Sequence, residues 1–208
     1  MSIVITAEGV ERAISAMSET LDALGGKDAG VAVARALNCG LKAARTEAAR
    51  QARRAYTAPE KKLFDNIFVR WARSTKLEGT LEISGKPGVS RIHFIAIPDR
   101  PGTRPREGVS TLVRRGGMRR VPMKPGFDKP FIMKKRQGGY GIFARKRGAD
   151  FGGPWKNNVE MLFGPSPVQA LQRRDTQEKI AARVEEVFAP RLRHEIDVIL
   201  AGIVRGGK

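Results

Sequence analysis

The first apolar positions of the chain recur three or four residues apart, which predicts an amphipathic helix. A short β-prone start at 2–5 precedes it, and Thr6 is a suitable N-cap. Glu8 and Glu11 fall in the first turn, where the helix dipole favours acidic side chains. Gly25-Gly26 then ends the helix, because glycine is the usual residue beyond a helix C-terminus.

Two further helical patterns follow. An alanine-rich helix is predicted from Asp28 to about Tyr56, with a narrow stripe of small apolar residues. Arginines flank this stripe and have two interpretations, a solvated helix face or a contact surface. The last helix starts at Thr176, where a long amphipathic stripe begins, and Pro190 is expected to kink it because proline lacks the backbone donor.

The middle of the chain alternates apolar and polar residues, which is typical of half-buried strands. The predicted strands are Ile67–Ala72, Leu77–Ile83, Arg91–Ile97, Phe131–Lys135, Tyr140–Arg145 and the apolar run Val159–Phe163. Two short helices are also predicted, at Glu60–Asn66 and Val168–Leu171. Phe131–Lys135 and Tyr140–Arg145 form a hairpin around Gln137-Gly138-Gly139. We therefore predict one α+β domain over 1–208, with two N-terminal helices, a small antiparallel sheet and a long C-terminal helix.

Residues 98–128, called the basic excursion below, interrupt this order. Prolines and glycines punctuate the stretch, and only Val109–Val113 and Met118–Met123 have strand-like patterns. We interpret it as a hairpin with Gly116-Gly117 at its tip. It either contacts phosphates or acidic neighbouring surfaces, or it is a disordered loop whose charge keeps the protein soluble.

Charge is concentrated in the same part of the sequence. The chain carries a net charge of +18, and residues 100–147 hold 15 lysines and arginines against 2 acidic residues, a net +13. An excess of this size implies an anionic partner, an anionic environment or an assembly that distributes the charge. The flanking helical regions are nearly balanced, which is not expected of a helical protein that coats nucleic acid along its length.

No pattern in the sequence indicates catalysis. The single cysteine, Cys39, excludes an internal disulfide, and the two histidines, His93 and His194, have no partner cluster. Catalytic triads, metal-ligand spacings and phosphate-binding loops are absent from the sequence, so we expect neither an enzyme nor a bound cofactor. No apolar run is long enough for a membrane span, and the start of the chain does not resemble a secretion signal, so we expect cytoplasmic synthesis.

The chain resembles the prophage minor tail protein Z family, the tail-completion proteins of lambda-like, long-tailed bacteriophages. The resemblance covers nearly the full length and includes the β-prone start and the second helix with Ala36-Leu37-Asn38. Its most specific parts are the strand Gly141-Ile142-Phe143-Ala144-Arg145-Lys146 and the turn Leu162-Phe163-Gly164-Pro165-Ser166. The basic excursion is longer and more basic than the usual pattern of the family.

What the resemblance implies is a structural virion protein at the head-proximal end of the tail. Such a protein completes the tail and makes it competent to join the head. The expected partners are further copies in a ring of six, the tail terminator, the head–tail connector and DNA in the channel, with no membrane. The family has no catalytic residues to carry over, and the expected location is the neck region of the virion after assembly in the host cytoplasm.

On this basis we expect two kinds of contact residue. The turn Leu162–Pro167 and the sheet would form the contact between subunits, and the arginines of the excursion would reach neighbouring proteins or DNA. The candidate interaction residues are Arg100, Arg104, Arg106, Arg114, Arg115, Arg119, Arg120, Lys124, Arg145, Lys146, Leu162, Phe163 and Pro165. The alternative function is a nucleic-acid-binding protein of a phage or mobile element, although such proteins usually expose aromatics or a recognition helix.

Overall fold

The computed structural model describes residues 8–85, 88–97, 108–114, 116–148 and 159–206, and it confirms the predicted α+β class. The helices are α1 (Glu8–Ala16), α2 (Ser18–Leu24), α3 (Gly26–Ala55), α4 (Glu60–Phe64), α5 (Val168–Leu171) and α6 (Arg174–Gly206). The strands are β1 (Ile67–Arg70), β2 (Thr80–Ile83), β3 (Ile95–Ile97), β4 (Ser110–Leu112), β5 (Arg119–Arg120), β6 (Phe131–Lys134), β7 (Tyr140–Arg145) and β8 (Val159–Met161). One 3-10 turn covers Arg91–His93.

Contacts within the chain group its residues into two compact units. Unit 1 comprises Met1–Gln51, Ile67–Ser84 and Val168–Lys208, and unit 2 comprises Ala52–Asn66 and Gly85–Pro167. Each unit is built from separate stretches of sequence, because the chain enters and leaves it more than once. The expectation of one domain over 1–208 stays a prediction.

The core of unit 1 lies between the N-terminal helices and α6. Its buried members are Leu21, Leu24, Ala32, Val33, Ala36, Phe188, Leu192 and Ile196. Small residues on α3 permit close approach: a Cβ added at Gly40 would lie 3.1 Å from Cγ1 of Val184 on α6. The alanine-rich stripe read from the sequence is therefore the packing face of α3.

Unit 2 contains two three-stranded antiparallel sheets, in the orders β3-β4-β5 and β6-β7-β8. Its core cluster consists of Val109, Val121, Ile132 and Ile142, with Ile92, Ala96 and Leu162 packed against it. Val109 and Val121 flank the β4–β5 hairpin, so the middle of the basic excursion is anchored by buried side chains at both ends. Tyr56 and Phe94 form an edge-to-face aromatic pair with ring centroids 6.4 Å apart.

The local predictions hold where the pattern is strong. The hairpin around Gln137-Gly138-Gly139 is confirmed, with Ile132 opposite Ile142. The hairpin with Gly116-Gly117 in its turn is confirmed as β4 and β5, and α4 and α5 lie where short helices were predicted. Residues 98–107 of the excursion, the start at 2–5 and Thr6 lie outside the described residues.

Three boundary predictions are wrong. The first helix is interrupted at Met17, whose backbone leaves the helical region at φ −115°, and α3 begins at Gly26 with Asp28 inside its first turn. The run Leu77–Ile83 is a strand only from Thr80, and Leu77 is exposed. Pro190 lies inside α6, which continues as one helix on both sides of it. The kink stays a prediction.

The predicted strand Arg91–Ile97 is wrong in its first half. Residues 91–93 form a 3-10 turn, closed by the His93 amide donating to the Ser90 carbonyl at 3.0 Å. The reason is non-local: Ser90 pairs with Phe163, and the Arg91 amide donates to the Leu162 carbonyl. These contacts fix the chain in a turn before β3 begins.

A candidate anion-binding cleft

Strands β4 and β5 bring the basic residues of the excursion together in unit 2. Thr111 pairs with Arg119, and Ser110 pairs with Arg120. Gly117 in the connecting turn has φ +124°, a conformation that side-chain-bearing residues rarely adopt. The turn thus depends on glycine, and it presents Arg114 on one side and Arg119 and Arg120 on the other.

A cleft of about 490 Å³ opens beside this hairpin. Four arginines line it together with turn glycines and apolar residues: Arg91, Arg114, Arg119, Arg120, Gly116, Gly117, Thr111, Val113, Pro122 and Pro165. Guanidinium groups bind carboxylates and phosphates through paired hydrogen bonds. The chemistry available here is therefore the binding of an anionic group against a partly apolar wall.

Arg91 is the cleft residue that the sequence analysis missed. Its Nε donates a hydrogen bond of 3.1 Å to the Phe163 carbonyl, and burial lowers the pKa of its guanidinium. The group stays charged, because arginine has a very high ordinary pKa. No local signal distinguished this residue, since Arg91 enters the cleft only through the pairing of Ser90 with Phe163.

Arg114 is held against a buried tyrosine. Burial raises the pKa of the Tyr56 hydroxyl, while the charge of Arg114 and its hydrogen bond to Tyr56 act in the opposite direction. Tyr56 is 2% exposed and packs on Phe94. The hydrogen bond to Tyr56 thus ties the exposed Arg114 to a rigid aromatic pair.

The turn at Leu162–Pro165 is fixed inside unit 2. Leu162 packs against the core cluster, and the Gly164 amide donates to the Val89 carbonyl at 2.7 Å. A Cβ added at Gly164 would lie 2.5 Å from the ring of Phe94. Of the three candidate residues here, Leu162 faces the interior, Phe163 is 39% exposed and Pro165 lines the cleft.

Lys124 and Lys146 converge on one carboxylate instead of on the cleft. Their Nζ atoms lie 2.5 Å and 3.7 Å from the carboxylate of Glu160. The hydrogen bond from Lys124, followed by the charges of both lysines, lowers the pKa of Glu160. Arg145 lies half-buried on β7 opposite Val159 and also has interactions within the chain. Arg100, Arg104, Arg106 and Arg115 lie outside the described residues.

A second cavity, of about 460 Å³, lies in unit 1 between α3 and α6. Its main feature is Glu195, whose side chain is 4% exposed and which pairs with Arg35 at 3.2 Å and with Arg191. Cys39 and His194 also line this cavity. A buried carboxylate between two arginines is compensated, so we interpret the arrangement as structural.

The outer face of the β3-β4-β5 sheet exposes large apolar side chains. Ile95 and Ile97 are 54% and 58% exposed, and Leu112 lies directly opposite Ile95. The register places Arg120 on the same face, across Ser110 from Ile97. Two isoleucines more than half exposed beside an arginine form a surface of the composition found at protein interfaces.

The described residues contain neither a metal-binding cluster nor a membrane-spanning helix. Among them, no group of three or more histidine, cysteine or acidic side chains could hold a metal ion. No described helix is both long and apolar enough to cross a membrane. Comparison of the chain with protein-family models, with curated proteins and with solved structures gave no match.

Proposed function

We propose that the protein is a structural protein of a bacteriophage tail. It acts at the head-proximal end, where it completes the tail and makes head–tail joining possible. The observation that carries this proposal is the exposed row of Ile95 and Ile97 beside Arg120 in unit 2. Apolar side chains that remain this exposed are costly in a free monomer and favour burial against another protein.

The resemblance to tail-completion proteins gives this interface its context. A ring of identical subunits, with six copies as the expected number, buries such a surface once in every subunit. The tail terminator and the head–tail connector are the other proposed neighbours, and arginines that face the channel would contact DNA. In this proposal the protein has no catalytic activity and no cofactor, and it resides in the neck of the virion.

The proposal is tested by removing the gene from the phage or prophage that encodes the protein. We expect heads and separate tails in electron micrographs, and normal particles once the wild-type protein is supplied. Ile95→Thr with Ile97→Thr should fail to restore joining, because threonine keeps the β-branched shape and removes the apolar contact. Met123→Ser is the matched control, since Met123 is also half exposed in unit 2 but lies outside this row. Normal particles without the gene would refute the proposal.

The arginine cleft favours a second candidate function, a nucleic-acid-binding protein of a phage or mobile element. Four arginines around one cleft would bind backbone phosphates. Light scattering of the purified protein, at low and high salt and with and without duplex DNA, separates the two. A concentration-dependent oligomer that ignores DNA supports the tail protein. A monomer that forms a tight, salt-sensitive DNA complex supports the alternative.

A further inference from the structure

We propose that the acidic outer face of α1 and α2 in one copy docks into the arginine cleft of the next copy. This inference rests on the proposed ring and names the contact that would build it. The acidic face consists of the exposed Glu19 and Asp22 on α2 and the exposed Glu11 on α1, which lies beside the exposed Arg12. The cleft is the one lined by Arg91, Arg114, Arg119 and Arg120 in unit 2.

The acidic face follows from the way the first two helices pack. Leu21 and Leu24 turn inward to the core of unit 1, so the opposite side of α2 faces solvent. Glu19 and Asp22 are three residues apart, a spacing that places both on the same side of a helix. Residues 8–24 carry four acidic side chains and one arginine, a net charge of −3 in a strongly basic protein.

These carboxylates contrast with several acidic side chains of unit 1 that are paired with a cation of the same unit. On α6, Glu178 pairs with Arg174 at 2.9 Å, and Glu186 pairs with Arg183 at 2.6 Å. Within the described part of the chain, none of the ion pairs involves Glu11, Glu19 or Asp22. The α1–α2 face therefore remains available to a cationic surface.

The cleft supplies the complementary surface. Arg114, Arg119 and Arg120 are exposed at its rim, and Arg91 is half-buried within it. Carboxylates on a helix can pair with such guanidinium groups in bidentate fashion, while Pro122 and Pro165 offer apolar contact to the stems of the acidic side chains. A cleft of about 490 Å³ holds a few side chains. This size suits the side chains of a docked helix.

Two different patches of opposite charge give a head-to-tail contact. Such a contact leaves an acidic patch free at one end and a basic patch free at the other, and repetition closes the chain into a ring or extends it into a filament. A two-fold dimer through the cleft would place like charges together, which is unfavourable. The chain thus carries a complement for its own cleft, which makes a second copy the favoured occupant over duplex DNA.

The test is a charge exchange followed by light scattering of the full-length protein. Variant A carries Glu19→Lys and Asp22→Lys, and variant B carries Arg119→Glu and Arg120→Glu. Alone, each places like charges at every contact, and we expect self-association to weaken by about tenfold or more. Mixed in equal amounts, A and B alternate so that every contact again joins opposite charges. The mixture should recover the oligomer, in even copy numbers.

Matched controls separate this contact from net charge. Glu178→Lys with Glu186→Lys changes the net charge by the same amount as variant A, but at exposed positions of α6. Lys134→Glu with Arg136→Glu changes it as B does, on exposed positions outside the cleft. Both controls should keep the wild-type mass.

The inference is overturned if A and B alone keep the wild-type oligomer, or if the mixture stays dissociated. It is also overturned if the wild-type protein remains a monomer at every concentration. Loss of duplex-DNA binding by B without loss of self-association would assign the cleft to DNA instead. The tail assignment has its own test, which is the appearance of particles that lack the gene.

Discussion

Arg91 and Phe163, 72 residues apart in sequence, are joined by a hydrogen bond of 3.1 Å from the guanidinium Nε to the carbonyl oxygen. The same pair of segments is joined by the Arg91 amide bonding to Leu162 and by the bridge between Ser90 and Phe163. One arginine thus holds the Leu162–Pro165 turn in place and contributes to the wall of the cleft. Structure and binding surface depend on the same contacts here.

Replacing this arginine should therefore weaken unit 2. For Arg91→Ala we expect the free energy of unfolding to fall by about 1–3 kcal/mol, because the Phe163 carbonyl loses a charged donor and the half-buried Arg91 side chain loses its packing. Urea unfolding at neutral pH measures the change. Arg136→Ala, at an exposed position in the same unit, is the control and should stay within about 0.5 kcal/mol of the wild type. Equal stability of the two variants would contradict this account of Arg91.

Gly164 is constrained by packing against an aromatic ring. In Gly164→Ala the new Cβ would lie 2.5 Å from the Phe94 ring, which is 1% exposed and has little freedom to move. We expect a loss of stability of about 1–3 kcal/mol, the usual range for overpacking. Gly116→Ala is the control, because a Cβ there meets nothing within 4 Å. Thermal unfolding of both variants, measured side by side, compares their stabilities. A Gly164→Ala protein as stable as the control would contradict the close packing of Gly164 against Phe94.

His93 should make stability depend on pH. Burial, followed by the charges of Lys62 and Lys135, lowers the pKa of His93 below its ordinary 6.5, and Asp65 opposes this only in part. In the unfolded chain the imidazole binds a proton near pH 6.5, while in the folded protein it remains neutral to lower pH. The contribution of His93 to stability is therefore fully present above the ordinary pKa of 6.5. It falls as the pH drops from 6.5 through the lower pKa of the folded protein.

The corresponding measurement is urea unfolding at about pH 7 and about pH 5, on either side of the ordinary histidine pKa. His93→Gln should lose less stability over this interval than the wild type. His194→Gln, which alters the exposed histidine of α6, is the control and should follow the wild type. If His93→Gln and the wild type lose the same amount, the protonation of His93 does not govern the acid side of the stability curve.

Glu195 is the central acidic residue of the α3–α6 cavity. For Glu195→Ala we expect unit 1 to lose about 1–3 kcal/mol, because two arginines lose their shared, buried partner. The loss is limited by the exposure of Arg35, whose side chain is 57% accessible to water. Glu178→Ala removes an exposed i,i+4 pair and should cost no more than about 0.5 kcal/mol. Circular dichroism during denaturation compares the two, and a similar small loss in both would show that the buried carboxylate contributes little.

Elements governed by neighbouring residues were predictable from the sequence. The β6–β7 hairpin follows from Gly138 and Gly139, both with positive φ, between two alternating runs. The small residues of α3 likewise indicated its packing face, with Ala44 and Ala48 of the predicted stripe buried. Failures arose where a distant segment overrides the local pattern. The 3-10 turn at 91–93 depends on pairing with Phe163, which no window of adjacent residues contains.

The residues of the candidate site were also predictable only where they lie close together in sequence. Arg114, Arg119 and Arg120 were expected to act together, because proximity in sequence and a hairpin place them together. Lys124 and Lys146 were grouped with them on charge alone, yet they flank Glu160. The composition gives the number of lysines and arginines. It does not show which of these cations pair with an acidic side chain of the same chain. That information comes only from the pairing of strands.

The close approach of Gly164 to Phe94 has an evolutionary consequence. A side chain at position 164 avoids a loss of stability only if the aromatic ring at 94 becomes smaller, so the two positions should change together in related chains. The glycine at 88, which approaches the Gly164 carbonyl, adds a third dependent position. Distant relatives should therefore share this spaced trio even where the local motifs around it have diverged, and it offers a criterion for recognising them.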